Sequence, residues 1–494
     1  MHINLVNIDK VFIFVVGHKI LRGVVLMKLI YDVSDRPGLS KTLLFAFQQM
    51  IAIMAATLLV PMLMSGFAMS NGNTLSFDPA AALFGAGIGT LFYTFATKRK
   101  SPVFLGSSFT FLGAYAAIIG MNYGYWGVII GVTLAGLVYA VLAILIKLIG
   151  SGWVNKLMPP VIAGPIVTII GLSLSSTATG WMSTNGGTDY SLVTILVGAV
   201  TFFAIVIVSV KGSKNLRLIP FIIGVGAGYI LALVLTLICN AADIAALQIL
   251  SFDSFKAAFD PFTIQSIVDY PKFTFIQAMT DKVDGILPID GTAVGNIAIT
   301  FVPIAIVELA QHIADHKNLG NLIGKDLITD PGLDKTLIGD GVGSIIGGFF
   351  GGAANTTYGE SIGCVAITGN ASVVSIITAG LGCMVLSFFT PFVALINSIP
   401  KCVMGGACVA LYGLIAVSGL SMLKDVDLGK SKNLYIVSAI LVVGIGGLSL
   451  NFGFNPVTNG PLVQVTALAT ALIFGIVTNL IVSTGKDKSE EDAE

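Results

Sequence analysis

Apolar residues fill most of this chain in runs of roughly 20, broken by short polar stretches, from about residue 41 to about residue 483. A helical run of that length spans the hydrocarbon core of a bilayer. The pattern predicts about fourteen spans. In the first half they fall near 41–64, 78–97, 103–119, 125–149, 157–177, 191–210 and 218–239; in the second, near 296–315, 336–351, 357–369, 372–397, 402–422, 433–450 and 461–483. A longer polar stretch at 240–295 separates the two sets.

Seven spans per half would set the halves in opposite orientation. Two pairs of segments support that symmetry. The short third span, from Pro102 to Phe109, has its counterpart in the short tenth, from Asn355 to Glu360; LMPPVIAGPIVTIIG (157–171) resembles SIPKCVMGGACVALYG (398–413). The expected fold class is therefore an all-α polytopic membrane protein, with about fourteen spans in two inverted seven-span repeats and short, broken spans 3 and 10. Its parts would be an N-terminal cytoplasmic segment (1–40), a first repeat (41–239), an extracellular loop (240–295), a second repeat (296–483) and a cytoplasmic tail (484–494). Residues 1–26 hold a short apolar run without a small-residue cleavage site, which argues against a signal peptide. The native start is expected at Met27, with 1–26 a translated upstream region.

Composition agrees: 55% of residues are hydrophobic and 11% charged, more apolar than a soluble surface tolerates. Lys plus Arg equals Asp plus Glu at 26 each, so no charge excess points to nucleic acid. Basic residues cluster in alternate loops, such as Lys98-Arg99-Lys100, Lys211 to Arg217, Lys317 to Lys335 and Lys424 to Lys432. The positive-inside rule then puts both termini in the cytoplasm and the protein in the cell membrane. The five cysteines lie in or beside apolar runs without CxxC spacing and read as small buried hydrophobes. No Walker A, HExxH or nucleophile-elbow motif occurs, so neither ATP-driven transport nor an enzyme is indicated. No cofactor is implied.

Candidate chemistry concentrates in GDGVGSIIGGFFGGAANTTYGESIGCVAITG, from Gly339 to Gly369. Gly339, Gly343, Gly347 and Gly351 make a bare helical stripe that another backbone can approach closely. The helix pattern then breaks at Asn355–Gly359 and restarts at Glu360, a mid-run carboxylate. Broken backbone and a buried acid are tolerated in a membrane only against protein or a water-lined cavity. Paired short segments in two inverted halves mark the midplane site of a secondary transporter. At the start of a half-helix, Glu360 sits where free N–H groups favour an anion or carbonyl oxygen.

The eighth span reads IVELAQHIADH. Glu308, His312 and Asp315 share one helical face with Gln311 beside them. Were the helix to end early, Asp315 would be cytoplasmic; His316, with Lys317, is expected beyond the span. No third ligand accompanies His312, so no metal site is read. Gln48 and Gln49 in the first span suit interhelical hydrogen bonding or, as readily, contact with a ligand. Phe109 could stack on a flat ligand or simply fill space.

GSSF (106–109), KDLITDPGL (325–333), GFFGGAANTTYGESIGCVAITG (348–369) and VMGGACVALYG (403–413) resemble the nucleobase–cation symporters, also called nucleobase–ascorbate transporters, and within them the bacterial uracil-permease branch. The resemblance runs from about Asp35 to Val482. The family signature falls on Glu360-Ser361-Ile362-Gly363 and Thr368-Gly369. It implies a core domain of spans 1–4 and 8–11 and a gate domain of spans 5–7 and 12–14. It further implies a homodimer and proton-coupled, elevator-like import of a nucleobase. By that likeness Phe109, Tyr358, Gly359 and Glu360 line the substrate site, and Tyr412 reaches it from the gate. Two departures stand out. Gln311 occupies the place of the family's substrate glutamate, with Asp315 four residues on at its proton-linked position. Gln49 follows Gln48 where relatives often have His. Asp315, or else Glu308 or His312, would then carry the proton. The reading is uracil–proton symport. A purine or xanthine permease of the same family, or a nucleobase sensor that does not transport, remains open at this point.

Overall fold

A computed structural model of the chain describes residues 5–8, 11–16, 19–24, 29–150, 152–153, 159–213, 216–242, 244, 247–281, 283–424, 426–453 and 463–483. The expected tail at 484–494 and parts of the N-terminal segment lie outside them. Three strands, β1 (Leu5–Ile8), β2 (Val11–Val16) and β3 (Lys19–Val24), pair antiparallel in chain order. From residue 39 on the fold is helical.

The first half comprises α1 (Leu39–Ser70), α2 (Pro79–Ala96), strand β4 (Leu105–Ser107), α3 (Leu112–Gly120), α4 (Gly124–Ile149), α5 (Pro160–Ser173), α6 (Ser175–Thr184), α7 (Leu192–Lys211) and α8 (Pro220–Ala242). The intervening stretch carries two short helices, α9 (Asp253–Phe259) and α10 (Thr274–Thr280). Then follow α11 (Gly291–Ile323), α12 (Leu333–Gly351), strand β5 (Asn355–Thr357), α13 (Gly359–Thr368), α14 (Val373–Leu386), α15 (Thr390–Asn397), α16 (Lys401–Met422), α17 (Ser431–Ile445), β6 (Leu450–Phe452), β7 (Val463–Val465) and α18 (Ala467–Ser483).

Among the described residues, eight helical stretches are long and apolar enough to cross a membrane: α1, α2, α4, α5 with α6, α7, α8, α11 and α16. Three shorter apolar helices, α14, α17 and α18, accompany them. The chain is a helical polytopic membrane protein.

Glycine lets its middle pack tightly. Helix α12 lies between α2 and α4. A Cβ added at Gly85 would come 3.3 Å from Gly347 Cα, and one at Gly89 would come 3.3 Å from the Gly343 carbonyl oxygen. On the opposite face, side chains at Gly136 or Gly341 would run into each other's carbonyls. The glycine stripe read from the sequence is thus a backbone-to-backbone crossing, with a second one behind it. Around it Phe104, Tyr115, Tyr139, Phe301 and Leu337 are fully buried in one apolar cluster. Ile162, Ile166, Ile436, Ile440 and Leu472 form a separate one where α5, α17 and α18 meet.

Several boundaries differ from the hydropathy reading. Helix α11, 33 residues long, runs eight residues past Asp315 to a left-handed Gly324 cap. At 1.5 Å per residue it spans about 50 Å, well beyond the roughly 30 Å hydrocarbon core. The run 372–397 is two helices, α14 and α15, with Pro391 in the first turn of the second. Proline suits a helix start because the amide it lacks has no helical partner there. The 240–295 stretch packs against that break: the Asp269 N–H donates to the Phe388 carbonyl, and the Thr390 N–H donates to the Ile267 carbonyl, both at 3.1 Å. Residues 29–35 strap onto the end of α13, where the Ile30 N–H donates to the Gly369 carbonyl at 2.7 Å.

Candidate functional site

Strands β4 and β5 interrupt what would otherwise be two continuous spans, and they pair antiparallel with each other: Leu105 faces Thr357, Gly106 faces Thr356, Ser107 faces Asn355. All six residues are buried. Pairing satisfies backbone groups that water cannot reach at that depth. The short helices α3 and α13 then lead away from this crossing, so both N-termini are brought to one place.

Side chains bolt the crossing. The Tyr358 hydroxyl donates to the Ser107 carbonyl at 2.6 Å. The Ala354 N–H donates to the Tyr115 hydroxyl at 2.7 Å, and the Phe104 N–H donates to Ser361 Oγ at 2.9 Å. Gln49 Nε2 donates to the Ser361 carbonyl at 3.3 Å, the interhelical one of its two readings. Gly106 is required here, since a Cβ would run into the Tyr358 ring.

Helix α11 presents its polar face to both broken segments. The Thr110 hydroxyl, just after β4, donates to Gln311 Oε1 at 3.5 Å. The Thr357 hydroxyl, at the end of β5, donates to Asp315 Oδ2 at 3.3 Å. Glu308 is 1% exposed, and neither carboxylate oxygen has a hydrogen-bond partner among the described residues. His312 is fully buried, with Nδ1 at 2.6 Å from Asp340 Oδ2 and Nε2 at 2.9 Å from Thr336 Oγ1.

His316 does not lie beyond the end of the span's helix as expected. Because α11 continues, the residue is 2% exposed, its ring tilted against that of His312 with centroids 4.1 Å apart. Nδ1 lies 2.7 Å from the His312 carbonyl and Nε2 2.6 Å from the Tyr93 hydroxyl, which also contacts Ser101 Oγ at 2.9 Å. The early-ending helix that would have freed Asp315 is excluded for the same reason.

Glu360, in the first turn of α13, reaches a cavity of about 350 Å³ bounded by α1, α8, α15 and α16, with Met54, Leu58, Phe221, Met404 and Leu411 in its wall. Gly359 beside it is exposed. Phe109 is 8% exposed and meets Tyr412 of α16 edge-on, ring centroids 6.2 Å apart. Gln311, Asp315, Phe109, Tyr358 and Tyr412 do not line the cavity wall itself. The structure therefore sets Glu360 at the cavity, Phe109, Tyr358, Gln311 and Asp315 along the crossing and α11, and Tyr412 on α16 against Phe109.

Asp340 drew no expectation from the sequence, although an acid between glycines in an apolar run was a signal. Thr110, Thr336 and Thr357 had none, because threonine is common in such helices. Among the described residues the ion pairs are Lys100–Asp330, His312–Asp340 and Lys325–Asp32. None reaches Glu308, Asp315 or Glu360. Outside the membrane, the Lys325 ammonium 2.8 Å away holds the Asp32 carboxyl below its ordinary range.

Residues 40–451 match the family model described as "Permease family". The chain is 36% identical over 468 residues to the uracil permease of Bacillus caldolyticus, covering 94% of this chain and 97% of the relative. It is 34% identical to that of Bacillus subtilis strain 168 over 94% of this chain and 98% of the relative, and 32% identical to that of Escherichia coli K12 over 91% and 94%. Among solved structures, the transmembrane domain of a cyanobacterium bicarbonate transporter aligns over 89% of this chain and 98% of its own, with a TM-score of 0.53 at 15% identity. The murine solute carrier 26 family member A9 anion transporter, inward-facing, aligns over 91% and 69%, with a TM-score of 0.58 at 12% identity. At such identities the likeness is one of fold.

Proposed function

The chain belongs to the nucleobase–ascorbate transporter family, and from that premise we propose that it imports uracil across the cell membrane by proton symport. The observation that carries the reading is the β4–β5 crossing, which brings two half-helix N-termini together with Glu360 turned into a cavity. Free N–H groups there suit the carbonyls of a neutral pyrimidine, and a carboxylate and a glutamine suit its ring N–H groups. Relatives that are uracil permeases supply the substrate class.

In this reading Glu360 and Gln311 hold the base edge, Gly359 and Phe109 offer backbone N–H groups, and Tyr412 closes over Phe109 from the gate side. Asp315 titrates, with Glu308 and His312 as the nearby alternatives. The bound base is uncharged, so the membrane potential acts on the accompanying proton, about 2.3 kcal/mol per 100 mV.

We read the chain as fourteen spans in two inverted repeats, an arrangement that suits an elevator. Partners that the symmetry relates pack together: α2 with α12, β4 with β5, and α5 with α16. Spans 1–4 and 8–11 form the moving core, and spans 5–7 and 12–14 the gate, in a homodimer with both termini cytoplasmic. Replacing Glu360 by Ala is expected to abolish uptake of labelled uracil while the protein still reaches the membrane. Unchanged uptake would overturn the assignment.

A further inference from the structure

Two cavities lie end to end between α1 and α16. The inner one, of about 350 Å³, is the cavity that Glu360 reaches. The outer one, of about 370 Å³, follows it along both helices: α1 lines the inner cavity from Ala52 and the outer one at Ser65, and α16 lines the inner at Leu411 and the outer at Lys401. From Ser65 back to Ala52 is about 20 Å of helix at 1.5 Å per residue. Among the described residues, Met62, Ile399 and Met404 are the ones common to both walls, which makes them the waist where the cavities meet.

The two sides of that waist differ in character. Ser65, Asp78, Asp269, Lys272, Thr390 and Lys401 give the outer cavity a polar, charged wall. In the inner wall, Glu360 and Tyr229 alone carry polar side chains, and the Tyr229 hydroxyl is engaged 2.8 Å from Ser398 Oγ. A ring of apolar side chains between them sheds water, and a hydrophobic constriction in a membrane protein closes by dewetting. A neutral solute crosses it by giving up hydrogen bonds to water, whereas an ion gives up far more. Two of the three side chains are methionines, unbranched and flexible enough to yield to a passing ring. The far end of α16 runs into the basic stretch Lys424 to Lys432, so the positive-inside rule turns the polar mouth outward.

We propose that the outer cavity is the entry vestibule for the base and that Met62, Ile399 and Met404 form an apolar filter, admitting uncharged solutes to Glu360 and holding back ions. The inference rests on the transport reading above and adds to it the residues that select by charge before the base is bound.

The test places single cysteines on either side of the waist in the full-length protein, Asn397→Cys in the vestibule and Ala52→Cys in the inner cavity. The five native cysteines are buried, so the native chain serves as the labelling blank. Intact cells are treated from outside with a membrane-impermeant quaternary-ammonium methanethiosulfonate, and in parallel with a small uncharged thiol reagent that confirms each cysteine reacts. The charged reagent is expected to modify Asn397→Cys at least tenfold faster than Ala52→Cys, and that modification should slow labelled uracil uptake several-fold. Adding Met404→Gln, of similar length but polar, should speed charged labelling of Ala52→Cys about tenfold and leave labelling by the uncharged reagent within twofold. If Met404→Gln does not reach the membrane, Met62→Gln takes its place. Equal charged labelling at both positions without Met404→Gln overturns the filter. So does a rate at Ala52→Cys that neither polar variant changes, and uptake unaffected by a modified Asn397→Cys overturns the vestibule. Native protein that takes up no uracil overturns the transport reading instead, and the labelling rates then decide the filter by themselves.

Discussion

Tyr358→Phe separates a substrate ligand from a structural bolt. The change removes one oxygen and keeps the ring that fills the space over Gly106. What is lost is the 2.6 Å bond from the hydroxyl to the Ser107 carbonyl, both residues being buried. A buried acceptor left without its donor costs about 1–3 kcal/mol. Ser107 is also a ladder residue of β4, so part of the loss is recoverable there, and the lower half of that range is expected. At about 1.4 kcal/mol per tenfold, transient opening of the β4–β5 crossing should rise roughly 5- to 30-fold. Hydrogen exchange followed by mass spectrometry on peptides covering 103–109 and 354–359 reads that opening directly. The detergent-solubilised protein should also melt at a lower temperature, whereas exchange in α7 and α8 should not change. If exchange and melting stay at native values while the KM for uracil rises, Tyr358 touches the substrate and the bolt reasoning is refuted.

Other outcomes follow from the same geometry. Gly136→Val drives a side chain into the Gly341 carbonyl, an overpacking worth about 1–3 kcal/mol or more, and should cut folded yield on size-exclusion chromatography far more than Gly180→Val, where nothing lies within 4 Å. Asp78 caps α2 by accepting from the Ala80 N–H at 2.9 Å and also takes the Lys272 N–H at 2.7 Å. Asp78→Ala should lower stability by about 1–2 kcal/mol in a melting assay, and Asp78→Asn by less. The Asp32 carboxyl is held below its ordinary value of 3.8 by Lys325, so the pair's contribution is complete at neutral pH and fades as pH falls below about 4. Both side chains are more than 40% exposed, which keeps that contribution under about 1 kcal/mol. The difference in melting temperature between native protein and Asp32→Asn should be small at pH 7 and shrink progressively as pH falls below about 4.

Local pattern was enough to locate most of the helices, because a span needs about 20 apolar residues, though not to say where each one ends. It was enough, too, to find the two broken segments, since Gly106 and the stretch Asn355–Gly359 interrupt a helix wherever it lies. Glycine spacing announced the close face of α12 in the same way. Partnership was beyond its reach. Whether His316 faced water depended on α11 continuing to a Gly324 cap and on Tyr93, 223 residues earlier, coming within 2.6 Å. Asp340 acquired meaning only from His312 on another helix, and the tie from the Tyr358 hydroxyl appeared only when Ser107 lay across from it. Hydropathy is a property of each segment alone, whereas the satisfaction of a buried polar group is decided by what packs against it, and that is set by the crossing of helices distant in the chain.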